Sequence, residues 1–289
     1  MRKHKLIFSL QLGFTLLVCA FLIVPVVLSI LAGLTANYFI GLESGLTLRW
    51  IMEVWDGYRD TIFRSVGIAV ACLALTLLLG IPTAYVLART RNRLARLIEE
   101  LLVLPIAMPG LATALALIAT YGAMRGFRTS WAFILVGHVL FTLPFMVRSV
   151  LAVLSAIDLK TLEEGAASLG AGFRQRFFDV VLPNCRNGIL AGSLMVVTLS
   201  MGEFNMTWLL HTPLTKTLPV GLADAYASLR LEIGSAYTLI FFLMIMPLLL
   251  GMQALARPRP TRFNKDDTSD DASKLLGMSL RTPLIPEKK

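Results

Sequence analysis

Apolar positions gather in six runs, each of about 20 residues or more, the length that crosses roughly 30 Å of hydrocarbon. They cover Leu6 to Leu34, Ser65 to Ala88, Leu101 to Met124, Ser130 to Val153, Gly188 to Leu210 and Ile233 to Ala256. Six membrane-spanning helices are expected, and the fold class is an all-α membrane protein. Arg2, Lys3 and Lys5 precede the first run. Its apolar region is far longer than the roughly 7 to 15 residues of a secretory signal, so it is expected to stay as an uncleaved anchor.

One segment interrupts this pattern between the fourth and fifth runs. Glu163 to Pro183 reads EEGAASLGAGFRQRFFDVVLP. Leu159, Leu162, Ala166 and Leu169 recur at helical spacing, Asp158 and Thr161 both suit an N-cap, and Thr161 with Glu164 fits a capping box. Gly170 stands where a C-terminal cap needs positive φ, and Ala171-Gly172 permit a reversal into a second run from Phe173 that Pro183 is expected to stop. Gly165, Ala166, Ala167 and Ser168 leave one turn almost bare, so another protein's backbone can approach. The shape is that of a docking surface.

Two further connections are long. Thr35 to Arg64 carries Tyr38-Phe39, Trp50, Trp55 and Tyr58, which suit an interfacial helix at headgroup level. His211 to Glu232, with Pro213, Pro219 and Gly221, suggests a bent or re-entrant connection ending in a short helix where a soluble partner docks. The domains expected are 1–60, a first helix and external loop; 61–256, a five-helix core with the polar segment near 158–183; and 257–289, a largely disordered tail.

Composition agrees with the membrane reading. The 289-residue chain is 56% hydrophobic and 16% charged, with mean hydropathy +0.72, a surface no soluble domain tolerates. Its +9 net charge fits residues that flank spans and meet anionic lipid better than it fits nucleic acid, which is not expected as a partner. With the N-terminus inside, twenty of the 27 basic residues fall on the cytoplasmic side, leaving Arg49, Arg59, Arg64, Arg125, Arg128, Lys216 and Arg230 outside. Both termini, the tail and the polar segment are then cytoplasmic. Cys19, Cys72 and Cys185 are too scattered for a disulfide framework or zinc cluster, and no metal site is expected.

Ionisable and helix-breaking residues inside spans are the other candidates. Glu203 lies about 22 Å of helical rise beyond Gly188, where it either faces a solute cavity or makes a buried hydrogen bond to Asn205, Thr198 or a neighbouring helix. Pro105 and Pro109 break the third span's hydrogen-bond ladder, as a path-lining bend or a structural kink. His138 has no acidic partner one turn away and suits packing, as do Met195, Met201 and Met206.

The spacing of the polar segment resembles the EAA motif, EAAxxxG followed after nine residues by IxLP, of membrane subunits of binding-protein-dependent ABC importers. Glu164-Gly165-Ala166, Gly170, Val180, Leu182 and Pro183 fall on it. Gly165 replaces the first alanine, weakening the helix by about 0.5–1 kcal/mol, and Val180 replaces isoleucine. LPIAMPGLATALAL in span three and GLTLRW at Gly45 to Trp50 resemble the polyamine, ferric-iron and aminoethylphosphonate branch, while Gly202-Glu203-Phe204 is similar to the GEF of several anion and iron importers.

The resemblance implies a type I importer fold in a bacterial inner membrane. It makes the polar segment a coupling helix seated in an ATP-binding subunit, with Glu164 as the polar contact and Gly170 as the turn. A dimer of ATPase subunits would carry ATP and Mg, since the chain has no GxxxxGK[ST] loop. This chain itself would be a transport subunit without a cofactor or catalytic residues. A sister permease would complete the pore, and a periplasmic binding protein would deliver solute.

A polyamine would be served by Glu203, Asp224, Glu232, Tyr226 and Trp208. A phosphonate or other anion would be served by Arg64, Arg125 or Lys216. The branch points to a polyamine first, with aminoethylphosphonate or ferric iron as alternatives. A secondary transporter shuttling protons through His138 and Glu203 is the reading from another class. A membrane enzyme is disfavoured by the scatter of His4, His138 and His211.

Overall fold

A computed structural model describes residues 2–90 and 92–256. The tail at 257–289 and Arg91 lie outside the described residues. Thirteen α-helices are formed among them: α1 (Arg2–Ala32), α2 (Arg49–Arg89), α3 (Arg93–Ala107), α4 (Gly110–Tyr121), α5 (Arg125–Arg128), α6 (Trp131–Ala156), α7 (Leu159–Ser168), α8 (Phe173–Gln175), α9 (Leu182–Asn184), α10 (Arg186–Gly202), α11 (Asn205–Leu210), α12 (Leu218–Ala227) and α13 (Leu231–Ala256). Four helices are long and apolar enough to cross a membrane, or six crossings result if each of two bent pairs counts as one. The class is all-α, as the six apolar runs predict.

Three helices form the centre. α2, α6 and α10 pack around buried Cys72, Met146, Val150 and Val196. Lipid tails are as apolar as these side chains, so close packing rather than hydrophobic exclusion holds such helices together. Glycines permit it. A Cβ at Gly188 would stand 2.6 Å from the Ser149 carbonyl oxygen, and one at Gly192 would stand 3.2 Å from the Met146 Cα. One turn apart on α10, the two let its backbone lie directly on α6.

Several spans differ from the sequence expectation. α2 starts sixteen residues before Ser65, and its 41 residues rise about 60 Å, twice the hydrocarbon thickness. No separate interfacial α-helix forms between α1 and α2; a single 3-10 turn spans Gly41–Ser44. Trp50, Trp55 and Tyr58 instead ride the N-terminal extension of α2. Trp50 donates from Nε1 to the Thr35 carbonyl at 3.0 Å, and Val54 and Ile62 join Leu218, Ile233 and Tyr237 in a second buried cluster. Tertiary contacts thus prolong a helix that hydropathy alone would end at the headgroups. The His211 to Glu232 connection does end in a short helix, α12.

The third and fifth spans are both broken. α3 and α4 meet at 103°. Pro105 stays within the last turns of α3, while Pro109, at φ −56° and ψ 136°, caps α4. The break therefore belongs to Met108-Pro109 and not to both prolines. In the fifth span α10 ends at Gly202, Glu203 is extended, and α11 restarts at Asn205.

Candidate functional site

The polar segment folds as a helical hairpin. Asp158 caps α7, accepting from the Thr161 backbone N–H at 3.3 Å and from its hydroxyl at 2.6 Å. Thr161 therefore sits inside the first turn and the expected Thr161–Glu164 box does not form; Glu164 faces Lys160 at 3.7 Å instead. At the other end Gly170 takes φ +86°. Its N–H donates to the Ala167 carbonyl, and the Ala171 N–H to that of Ala166, which together make a Schellman termination. Gly172 then opens the second arm, with its N–H held by the Gln175 side chain at 2.9 Å.

Pro183 does not stop that arm. A π-helical turn from Arg176 to Val181 precedes it, and helical structure continues through Leu182–Asn184 before a 69° bend into α10. Proline lacks an N–H and crowds the carbonyl four residues back. The widened turn shifts the local register and accommodates it. The break falls at Cys185.

The two adjacent glutamates have opposite fates. Glu163 is 4% exposed. It accepts from the Tyr85 hydroxyl at 2.6 Å and lies 3.6 Å from Arg89 Nε, and Arg89 also donates to the Tyr85 oxygen at 3.1 Å. The Tyr85 ring meets Phe177 edge-on at 5.4 Å. α7 and the second arm are thus tied to the C-terminal end of α2. The Glu164 side chain is 68% exposed. Sequence reasoning singled out Glu164 and missed Glu163, although its position four residues after buried Leu159 puts it on the same helical face.

The apolar stripe foreseen on α7 is only partly buried. Leu159 is covered, but Leu162 is 40% and Leu169 is 89% exposed. Phe173, Phe178 and Pro183 are exposed nearby, Leu182 and Ala166 are half-buried, and Gly165 is open. A Cβ at Gly165 would meet nothing within 4 Å. Gly165→Ala should therefore stabilise α7 by about 0.5–1 kcal/mol; circular dichroism of a 156–186 peptide at partial helicity should record more helix, and less would contradict this packing.

The second candidate cluster joins the two broken spans. The Glu203 carboxylate, 8% exposed, accepts from the Met206 and Thr207 N–H groups at 2.8 Å each and from the Thr207 hydroxyl. These partners are neither Asn205 nor Thr198. α11 has six residues, too few to stand alone. At its other end Arg128 donates to the Leu210 and Leu209 carbonyls at 2.8 and 3.2 Å. An anion at the N-terminus and a cation at the C-terminus both oppose the helix dipole favourably.

Glu203 also reaches the break in the other span: its Oε1 lies 3.7 Å from where a Gly110 Cβ would be, just after Pro109. His138 is fully buried, its ring nitrogens 2.8 Å from the Ser200 hydroxyl and 2.9 Å from that of Thr207, with Glu203 Oε2 at 3.9 Å. The acidic neighbour absent from its own helix is supplied across the fold. Trp208, 37% exposed, stands between Phe204 and His211. Pro105 remains apart, within α3.

The charges of the two long connections, Thr35 to Arg64 and His211 to Glu232, are largely consumed internally. Lys216 pairs with Asp224, Arg64 donates to the Lys216 carbonyl at 3.2 Å, and Glu232 accepts from the Tyr38 N–H at 3.0 Å. Neither sign is left in evident excess.

A glycine-packed helical core, two broken spans and a polar helical hairpin make this an all-α chain with four to six membrane crossings. The chain belongs to the family described as binding-protein-dependent transport system inner membrane component, which matches residues 77–259. It is 27% identical over 224 residues to the molybdenum transport system permease protein ModB of Mycobacterium bovis, covering 72% of this chain and 83% of that one. It is 24% identical over 260 residues to the spermidine/putrescine transport system permease protein PotC of Escherichia coli, covering 88% and 96%. Among solved structures, a bacterial ABC transporter involved in the import of the acidic polysaccharide alginate superposes with a TM-score of 0.66 at 15% identity, covering 91% of this chain and 98% of that one.

Proposed function

We propose that this permease subunit provides half of the path of an ATP-driven importer and engages a separate ATPase through Glu164, Gly165, Ala166, Gly170, Leu182 and Pro183. The observation that carries the reading is the hairpin itself. Glu163 is turned inward as a strut, so Glu164, Leu162 and Leu169 point away from the chain, an exposed apolar and acidic surface where family membership calls for a motor. ATP and Mg bind the ATPase dimer, a sister permease completes the pore, and a periplasmic binding protein delivers the solute. The joined breaks at Pro109 and Glu203, with Trp208 beside them and Pro105 one turn earlier, border the path. Glu203 there shapes the border, because its oxygens already serve α11.

Replacing Glu164 with alanine and Gly170 with valine tests the coupling. A β-branched residue at positive φ strains the turn by about 1–2 kcal/mol. The variant should reach the membrane yet lose copurification with the ATPase and ATP-driven uptake. Full uptake would sink the proposal, and uptake that survives removal of the ATPase but collapses with the ion gradient would favour a secondary transporter.

The cargo we assign is a polyamine, supported by the near end-to-end match to PotC. The likeness to ModB favours an oxyanion as the second reading. Uptake of labelled spermidine, molybdate, aminoethylphosphonate and ferric iron, each measured separately in vesicles holding the complete transporter, decides between them; uptake of molybdate without spermidine would replace the polyamine.

A further inference from the structure

The cavity between the last turn of α2, the first turns of α3 and the second half of α6 has no part in the coupling hairpin or the path. Its volume is about 480 Å³, and Arg96, Arg148, Glu99, Thr90 and Ser155 supply its polar lining. Leu87, Ala95 and Leu151 supply apolar wall.

Arg148 is the unusual member. It lies within a helix long and apolar enough to span the membrane, eight residues before its end at Ala156, about 12 Å of rise inside it. A charge at that depth is costly and calls for a partner. Among the described residues, neither the Arg148 nor the Arg96 side chain has a hydrogen bond or an ion pair, and Glu99 lies in the same wall without bridging to either. Two guanidinium groups with two hydroxyls therefore line one hollow, and a single carboxylate offsets only part of their charge.

We infer that this hollow binds the phosphate of an anionic phospholipid of the inner leaflet. Guanidinium groups suit phosphate oxygens through paired N–H donors, and basic pockets between spans on the cytoplasmic side hold anionic headgroups. Depth argues for a lipid over a soluble anion. Leu102, Val103 and Ile106, half-buried one to two turns further along α3 on the face that carries Arg96 and Glu99, continue the wall as apolar surface for an acyl chain. The site rests on the permease reading and on the Ala156 end of α6 facing the cytosol.

The test uses the whole transporter complex, washed in detergent, with retained phospholipid identified by mass spectrometry and ATP-driven uptake measured in phosphatidylcholine vesicles with and without phosphatidylglycerol. The wild type should retain phosphatidylglycerol over phosphatidylethanolamine. Arg96→Gln with Arg148→Gln should lower that retention about thirtyfold, each arginine contributing about fivefold, while the double lysine variant keeps much of it. Glu99→Gln should raise retention, and it decides the matter if the double variant fails to accumulate.

Retention that ignores headgroup charge, or a Glu99→Gln variant that retains no more lipid, overturns the site. Release of the lipid by inorganic phosphate would reassign the hollow to a soluble anion. A wild type without ATP-driven uptake in any lipid would count against the importer reading instead, since lipid retention is read independently of transport.

Discussion

Glu163→Ala should cut ATP-driven uptake at least tenfold while leaving Glu164 in place. The carboxylate is buried and holds the Tyr85 hydroxyl at 2.6 Å and the Arg89 guanidinium at 3.6 Å. Its removal leaves the buried Tyr85 O–H donor without its acceptor and takes the carboxylate away from Arg89. Losing a charge-assisted bond of this kind costs about 1.5–3 kcal/mol, roughly ten- to a hundredfold in the equilibrium constant for docking the hairpin on α2. Arg89 is half exposed, so its ion pair is screened and contributes the smaller share. Tyr85→Phe should reproduce much of the loss, and Glu163→Gln less, because an amide oxygen still accepts from Tyr85. Hydrogen exchange across residues 159–168 gives the direct reading: faster exchange in Glu163→Ala is expected, and unchanged exchange with full uptake would show that the strut holds nothing.

Glu203→Ala should lower the thermal midpoint by about 6–12 °C in detergent, the shift that roughly 3 kcal/mol produces in a chain of this size. Three donors lose their acceptor at once: the Met206 and Thr207 N–H groups and the Thr207 hydroxyl. Each buried donor left unmet costs about 1–3 kcal/mol, partly recovered as the short helix relaxes. Glu203→Gln should lower the midpoint by about half as much, since one oxygen still accepts while the amide nitrogen faces donors. Uptake kinetics separate shape from charge. If Glu203 shapes the border of the path, loss of transport follows loss of stability across the two variants. A Glu203→Gln protein of wild-type stability with a strongly raised KM for a cationic solute would show that the carboxylate meets the cargo directly.

The residues differ in how openly they declare these roles. Apolar run length announced the helices, because a backbone in hydrocarbon must satisfy its own hydrogen bonds and a helix does so locally. Gly170 announced its turn for an equally local reason, the freedom to adopt φ +86°. Glu163 did not announce itself: its partner Tyr85 is 78 positions away, and adjacent glutamates look alike until a neighbouring helix covers one. Pro183 misled, since the rule that proline ends a helix takes no account of a π turn before it. Glu203 was visible as a charge in an apolar run, but its service to α11 depended on where the helix broke.

Local chemistry along the chain thus determined the class, the approximate spans, the hairpin and its spacing, since each rests on hydrophobicity, φ preference or capping within a few residues. The tertiary structure decided which glutamate is a buried strut and which is exposed. It also decided that Glu203 reaches the α3–α4 break at Gly110, that α2 begins at Arg49, well before its apolar run, and that Arg96 and Arg148 share one hollow. All four follow from contacts between helices, where burial and partner geometry, and not residue type, set what a side chain does.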